Sequence, residues 1–424
     1  MRIFANKNFT MMFIGRIVTN VGDSLYSVAM MWLVYELGGS TIYTGIAGFL
    51  SVFPRVIQFF SGPYVDKLPV RSLLVYSQII QAVLLLCIPI AAYFQVLTVT
   101  ILLVVTPILS TLNMIVYPAQ MAALPLIVKE EDLTKGNSLF SFAYQGIDLA
   151  CNAISGILIV VIGAVSIYYV NAVTFFIGAI IFSFVRLRPV TPKQKRFTSR
   201  PHSLQMNSYF HELKAGIGII LMSPLARIFI GIILLNLINA AVMAVLPEFV
   251  SGADMYGAFL TALAAGSLIG ALITPYLKLD IYPLGYIYGY TSLVAGIIQC
   301  AAIIFPYQWL ALLLFGLSAI PGSITNIIIF SVIQKVIPQN LLGRVFAATF
   351  SISGIAAPLG GLAGGVIGVY MAGSLVIFLG GLLIMVIGLF WLLDPKIKKL
   401  PSPEQIDSSI LGGKESRKGI SEIL

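Results

Sequence analysis

The chain has 424 residues, 59% of them hydrophobic and 10% charged, with a formal net charge of +9. So apolar a composition excludes an ordinary water-soluble globule, whose surface would need many more polar side chains. The positive surplus does not point to nucleic acid, because it is confined to alternate connections between apolar stretches.

Twelve stretches read as membrane helices, at about 9–35, 42–64, 72–94, 97–127, 137–163, 166–187, 224–250, 255–277, 283–305, 307–334, 344–369 and 373–393. The N-terminus is short and basic and runs into a full-length span, so no removable signal peptide is expected. Basic residues fall at Arg2, Lys7, Lys67, Arg71, Lys129, Lys135, the 186–214 cluster, Lys278, Lys335, Arg344 and the C-terminal lysines. The other connections, around 38–41, 95–96, 164–165, 251–254, 306 and 370–372, hold no Lys or Arg. That asymmetry predicts cytoplasmic termini and a cytoplasmic 188–212 loop.

Span 1, NFTMMFIGRIVTNVGDSLYSVAMMWLVY at 8–35, carries Arg16 and Asp23. A charge at a membrane helix centre costs roughly 2.5–3.5 kcal/mol on insertion scales, so each should have a partner or a task. Arg16, Asn20, Asp23 and Ser27 recur at helical spacing on one face. Arg16 and Asp23 lie about 10.5 Å apart along the axis, and Arg16 leans away from Asp23, so partners are expected from other spans. Span 2 offers Arg55 and Gln58, span 4 Asn113, Tyr117 and Gln120, and span 5 Gln145, Asp148 and Asn152. Such stripes should face one another or water rather than lipid. Asp23, Asp148, Arg16 and Arg55 sum to zero charge. They are candidates for proton coupling, with Asp23 foremost, or for two permanent ion pairs locking the bundle. Glu36 and Glu248 are expected as solvated helix termini, and Trp32, Trp309, Tyr168 and Tyr169 as interfacial belts.

Between spans 2 and 3 stands GPYVDKLPVR at 62–71. Gly62, Asp66, Lys67 and Arg71 fit G-x3-D-(R/K)-x3-R, which resembles the loop signature of the major facilitator superfamily. Pro69 and Ser72 depart from its usual pattern. YPAQMAALPLIVKEEDLTKGNSL at 117–139 and QKVIPQNLLGRVFA at 334–347, the latter with Gly343 and Arg344, resemble the drug-efflux branch that contains macrolide-efflux proteins and siderophore exporters. Span 5 reads QGIDLACNAISGI, with Asn152 where the antiporter pattern has proline. Span 11 keeps a closer version, APLGGLAGG at 357–365.

The two halves also repeat. FIGRIVTN at 13–20 aligns with FIGIILLN at 229–236, which sets Asp23 opposite Asn239 and Arg16 opposite Ile232. Parallel repeats of this kind hold a substrate site near the midplane. The expected cavity residues are Asn20, Ser27, Gln58, Asn113, Tyr117, Gln120, Gln145, Asn152, Asn236 and Asn239.

The resemblance implies an all-α integral membrane protein, twelve transmembrane helices in two pseudo-symmetric six-helix bundles at 1–187 and 224–394. A basic cytoplasmic linker at 188–223 and a tail at 395–424 complete it. It further implies a monomeric secondary transporter in a bacterial plasma membrane, exporting an amphipathic small molecule by alternating access as a proton antiporter. In that reading Gly62, Asp66, Lys67, Arg71, Gly343 and Arg344 form the gate. Lipid or lysolipid movement is the alternative, and a non-transporting receptor or channel a remote one. No cofactor or metal is expected: the three cysteines and two histidines show no metal or disulfide spacing. No GxSxG elbow or Gly-Lys phosphate loop suggests an enzyme.

Overall fold

The computed structural model describes residues 2–52, 54, 70–129, 132–186, 218, 225–305, 307–337 and 356–406. Its main helices are α1 Lys7–Gly38, α2 Thr41–Val52, α3 Val70–Tyr93, α4 Val99–Ile127, α5 Leu133–Ile162 and α6 Ala164–Ser183. They continue with α7 Ala226–Phe249, α8 Ala253–Ile273, α9 Leu284–Ile304, α10 Gln308–Val336, α11 Ala356–Tyr370 and α12 Gly373–Leu393. Eight of them are long and apolar enough to cross a membrane. Large apolar side chains such as Val83, Val104, Phe176, Leu313 and Val386 stay exposed on them. Water would not tolerate so extensive an apolar surface, and lipid does.

Local chemistry sets the ends of α1. The Asn6 side chain accepts from the backbone N–H groups of Asn8 and Phe9, at 3.1 and 3.3 Å, which satisfies two otherwise orphaned donors. Its amide also donates to the Ile127 carbonyl at 2.8 Å, tying the start of α1 to the end of α4. The helix stops at Gly39, whose φ of 64° lies in the left-handed region that glycine adopts without a Cβ clash.

The chain forms two compact units, Met1–Met206 with Ser251–Gly257, and Asn207–Val250 with Ala258–Leu424. In the first, α6 packs along both α1 and α3, and α3 along α4. In the second, α12 packs along both α7 and α9, and α9 along α10. The packing order is the same, so the halves are pseudo-symmetric bundles.

The FIG repeat has a matching tertiary meaning in each half. Gly15 on α1 lies under the Phe182 ring of α6, where an added Cβ would come within 2.6 Å of the ring. Gly231 on α7 lies under Trp391 of α12, where an added Cβ would come within 2.2 Å. Each glycine lets the first helix of its half reach a large aromatic on the sixth. Phe182 and Trp391 are both fully buried, each within its unit's apolar core.

The stretch after α12 belongs to the second unit. Ile397, Leu400 and Ile406 are buried in its core. The Pro401 carbonyl accepts from the Leu284 N–H at 3.4 Å, and the Glu404 N–H donates to the Asp280 carbonyl at 3.0 Å. Lys335 Nζ donates to the Pro403 carbonyl at 2.8 Å. Arg227, at the start of α7, pairs with Asp394, which also accepts from the Lys396 N–H at 2.8 Å. The first part of the expected tail is therefore packed structure, and residues 407–424 lie outside the described residues.

Candidate functional site

The polar residues of α1 separate into three clusters in the N-terminal unit. Arg16 is fully buried; its Nη1 donates to Gln120 Oε1 on α4 at 3.1 Å. Its guanidinium sits 5.1 Å from the centre of the Phe140 ring, on which Phe9 and Phe13 stack in turn. This is a cation–π arrangement in an apolar setting, where ring attraction is stronger than in water.

Two turns further along α1, Asp23 is half-buried and hydrogen-bonds Asn113 of α4. It borders a cavity of about 30 Å³ shared with Tyr26, Gln81, Ser110, Asn113 and Asn171. The third cluster joins the next residue, Ser24, to α5: its Oγ donates to Asp148 at 3.0 Å, and Asp148 is otherwise exposed. The bonds that Asp23 and Asp148 make among the described residues run to a neutral amide and a hydroxyl.

Asp23 with Asn113, and Arg16 with Gln120, are thus brought together as the polar stripes suggested. Asn20 is buried beside them on α1. Ser27 is not part of a cluster: it is exposed, and its hydroxyl donates to the Ser24 carbonyl at 2.9 Å. Arg55, Gln58, Gly62, Asp66, Lys67, Gly343 and Arg344 lie outside the described residues. So do the side chains of Tyr117, Gln145 and Asn152, although their helices are described. Arg71, at the start of α3, donates to the Ser183 carbonyl at the end of α6.

Two contributors to the Asp23 cavity were missed by assigning the polar stripes to spans 1, 2, 4 and 5. Gln81 comes from α3 and Asn171 from α6; they are 1% and 0% exposed. The signal was present in Ser77, Gln78 and Gln81, three polar residues at helical spacing inside an apolar span. Tyr168 needs correction. It is 1% exposed and meets the Tyr26 ring edge-on at 5.3 Å, so it is a core residue, while Tyr169 and Trp309 are exposed as a belt requires. Glu248 also turns inward: its Oε2 is buried beside Gly373 at the start of α12, where helix N–H groups favour a carboxylate. Glu36 is exposed, as expected of a solvated terminus.

The C-terminal unit holds a cavity of about 430 Å³ between α7, α8, α9 and α10, with Ile384 of α12. Asn236 and Asn239 line it, as expected from the repeat. Ser267, Gln299, Ser318, Ser323 and Asn326 line it too, facing Leu263, Met243, Phe315 and Ile329. None of the described residues that border it is charged. Its size lies in the range of drug-sized ligand pockets, and its mixture of apolar wall and a few amides and hydroxyls suits an amphipathic molecule. Ser318, Thr325 and Asn326 of α10, with Gly322 between them, are spaced along one helix face, which was legible in principle.

The sequence profile described as Major Facilitator Superfamily matches residues 12–361. Over 408 residues the chain is 22% identical to YvqJ of Bacillus subtilis, an uncharacterized MFS-type transporter, covering 93% of each chain. It is 25% identical over 366 residues to macrolide efflux protein A of Streptococcus pyogenes, covering 82% of this chain and 85% of that one. The crystal structure of a bacterial homologue of the human lysosomal transporter Spinster, inward-facing and unoccupied, matches with a TM-score of 0.65 at 11% identity, covering 92% of this chain and 95% of that one. At that identity the structural likeness shows the fold alone.

Proposed function

The chain belongs to the major facilitator superfamily, and we propose that it is a proton-driven exporter of an amphipathic small molecule, working by alternating access in a bacterial plasma membrane. That it is a multi-pass membrane transporter, and not an enzyme, follows from the family. The carrying observation for the substrate class is the 430 Å³ cavity of the C-terminal unit, whose described lining residues are all uncharged. An apolar wall would hold the hydrophobic body of a macrolide-like or siderophore-like compound, and Asn236, Asn239, Ser318 and Asn326 would orient its polar groups. Similarity to a macrolide efflux protein supports the direction of transport.

Asp23 is the proposed coupling carboxylate. It lies within a membrane span, keeps a neutral hydrogen-bond partner in Asn113, and has the uncharged Asn239 as its counterpart in the repeat. Tyr26 borders the same cavity, and Arg16 and Asp148 are the other charged residues on the polar stripes of α1 and α5. A proton entering a negative interior releases about 2.3 kcal/mol per 100 mV, enough to lift a neutral substrate against a gradient. The positive-inside pattern supports cytoplasmic termini. Arg71, bonded to the end of α6, supports a latch role for the 62–71 loop.

The test is an untargeted comparison of small molecules, macrolides included, retained by cells with and without the protein. It is paired with Ser318→Leu and Asn326→Leu, which fill the cavity. The expected result is selective depletion of amphipathic compounds by the native chain and at least a several-fold weaker depletion by the two variants at equal membrane abundance. Identical retention with and without the protein would defeat the export reading.

A further inference from the structure

We propose that the small cavity around Asp23 is a binding site for one monovalent alkali cation, with sodium the best fit. The site lies wholly within the N-terminal unit, between α1, α3, α4 and α6. At about 30 Å³ it has room for roughly two water-sized bodies, so it admits an ion with a water and excludes any drug-sized molecule.

The hydrogen-bond inventory leaves several oxygens at this space, beside the unpartnered Nδ2 of Asn171. An ionised Asp23 only accepts, so Asn113 must donate to it through its NH₂ group and keeps its carbonyl oxygen for a ligand. Gln81 donates its NH₂ group to the Ser77 carbonyl at 3.2 Å, leaving Oε1. The Thr106 hydroxyl proton goes to the Leu102 carbonyl at 2.8 Å. Thr106 therefore accepts from the Tyr26 hydroxyl, and the Tyr26 oxygen keeps lone pairs. The one Thr174 hydroxyl proton is shared between the Asn171 backbone carbonyl at 2.8 Å and its Oδ1 at 3.2 Å, so Oδ1 keeps lone-pair capacity. The Ser110 hydroxyl completes the lining. Hard alkali and alkaline-earth cations are held by such sets of carboxylate, carbonyl and hydroxyl oxygens.

Charge selects the class of cation. Among the described residues one carboxylate lines the cavity, so a monovalent ion leaves that set neutral. A divalent ion would leave a net positive charge buried among membrane helices, at a cost of several kcal/mol. Divalent sites in proteins gain affinity by adding carboxylates, and none of the other described lining residues is acidic. The buried amide of Asn171, 0% exposed with its Nδ2 unpartnered, is a second sign that the lining is incomplete without a guest. Unpaired buried polar atoms are costly, and a hydrated ion supplies a water oxygen for that N–H. The ion and a proton on Asp23 would compete for the same site.

Binding is tested at equilibrium, independently of export. Purified full-length protein in detergent is titrated with radiolabelled sodium, choline chloride holding the ionic strength constant. Thermal unfolding is followed in the same series with lithium, potassium and choline. Saturable binding of one sodium per chain is expected, with stabilisation by sodium and lithium exceeding that by potassium. At a hundredfold excess over the dissociation constant the folded-to-unfolded ratio should rise about 100-fold. Asp23→Asn should abolish binding, and Asn171→Ala and Gln81→Leu should each weaken it about tenfold or more. Equal effects of choline and sodium on the native chain would overturn the proposal even if no variant folds. Unchanged sodium binding by a well-folded Asp23→Asn protein would also overturn it. Intact proton-driven export without sodium binding would refute this site while leaving the export reading in place.

Discussion

Replacing Gly231 by alanine tests how the C-terminal bundle is held together. The added Cβ would stand 2.2 Å from Trp391 Cζ2, 2.7 Å from Cε2 and 3.1 Å from Nε1. Ordinary carbon contacts need about 3.5 Å, so the ring must retreat by more than 1 Å or α7 must move off α12. Trp391 is fully buried and has no open side to retreat into. Its Nε1 also donates to the Arg227 carbonyl at 3.3 Å, a bond that any retreat breaks. Overpacking costs about 1–3 kcal/mol and a lost hydrogen bond about 0.5–1.5 kcal/mol, so Gly231→Ala should destabilise by roughly 2–4 kcal/mol. Gly15→Ala, with its nearest ring atom at 2.6 Å and no tryptophan bond to lose, should cost about 1–3 kcal/mol. The assay is unfolding of the purified protein in detergent, with Trp391→Phe as the second arm of a double-mutant cycle. The smaller ring makes room for the methyl, so the double variant should be more stable than the sum of the two single losses implies, by at least about 0.5 kcal/mol. A Gly231→Ala protein within about 0.5 kcal/mol of the native one, or strict additivity with Trp391→Phe, would refute the packing account.

Asp23→Asn should abolish uphill export driven by a pH gradient while keeping downhill exchange of substrate, measured in reconstituted vesicles. Undiminished uphill export would make Asp23 a structural residue. Labelling of intact cells in a cysteine-free background should modify Tyr307→Cys, whose site is exposed before α10, and spare Arg200→Cys; the reverse pattern would invert the topology. The Asp394 carboxyl is held below its usual value near 3.8 by the Lys396 N–H first and by the Arg227 guanidinium as well. Its stabilising contribution is therefore complete at neutral pH and fades as pH falls below that value, through the folded-state one. Asp394→Ala should speed tryptic cleavage at Lys398 and Lys399 at pH 7, and equal cleavage rates would show that the segment is anchored without this carboxylate.

Much of the architecture was legible in the chain itself. Runs of apolar residues can place their backbone polar groups in a membrane only as helices, so an all-helical membrane fold followed from composition. The FIG repeat disclosed the two halves, and Gly15 with Phe182 and Gly231 with Trp391 show what the repeated glycine is for. The polar face of α1 was readable because its period matches the helix, and so were the Asn113 and Gln120 faces that meet it.

Helical periodicity states which residues share a face, and it is silent on which neighbour that face meets. That depends on how each helix is rotated and how closely it approaches, which is set by contacts far apart in sequence. Glycines at 15 and 22 let α1 sink against α6, and this brings Asn171, together with Gln81 of α3, to Asp23. The same inward rotation of α6 buries Tyr168 against Tyr26, although its hydroxyl suits an interface equally well. In the second unit, the polar side chains of α9 and α10 enclose a cavity because bulkier residues pack around them, a property of summed volumes rather than of any motif. Composition and period thus determined that the chain spans the membrane, and in two similar halves. Side-chain packing between distant helices decided which polar groups meet, since the energy of each pairing exists once both helices are in place.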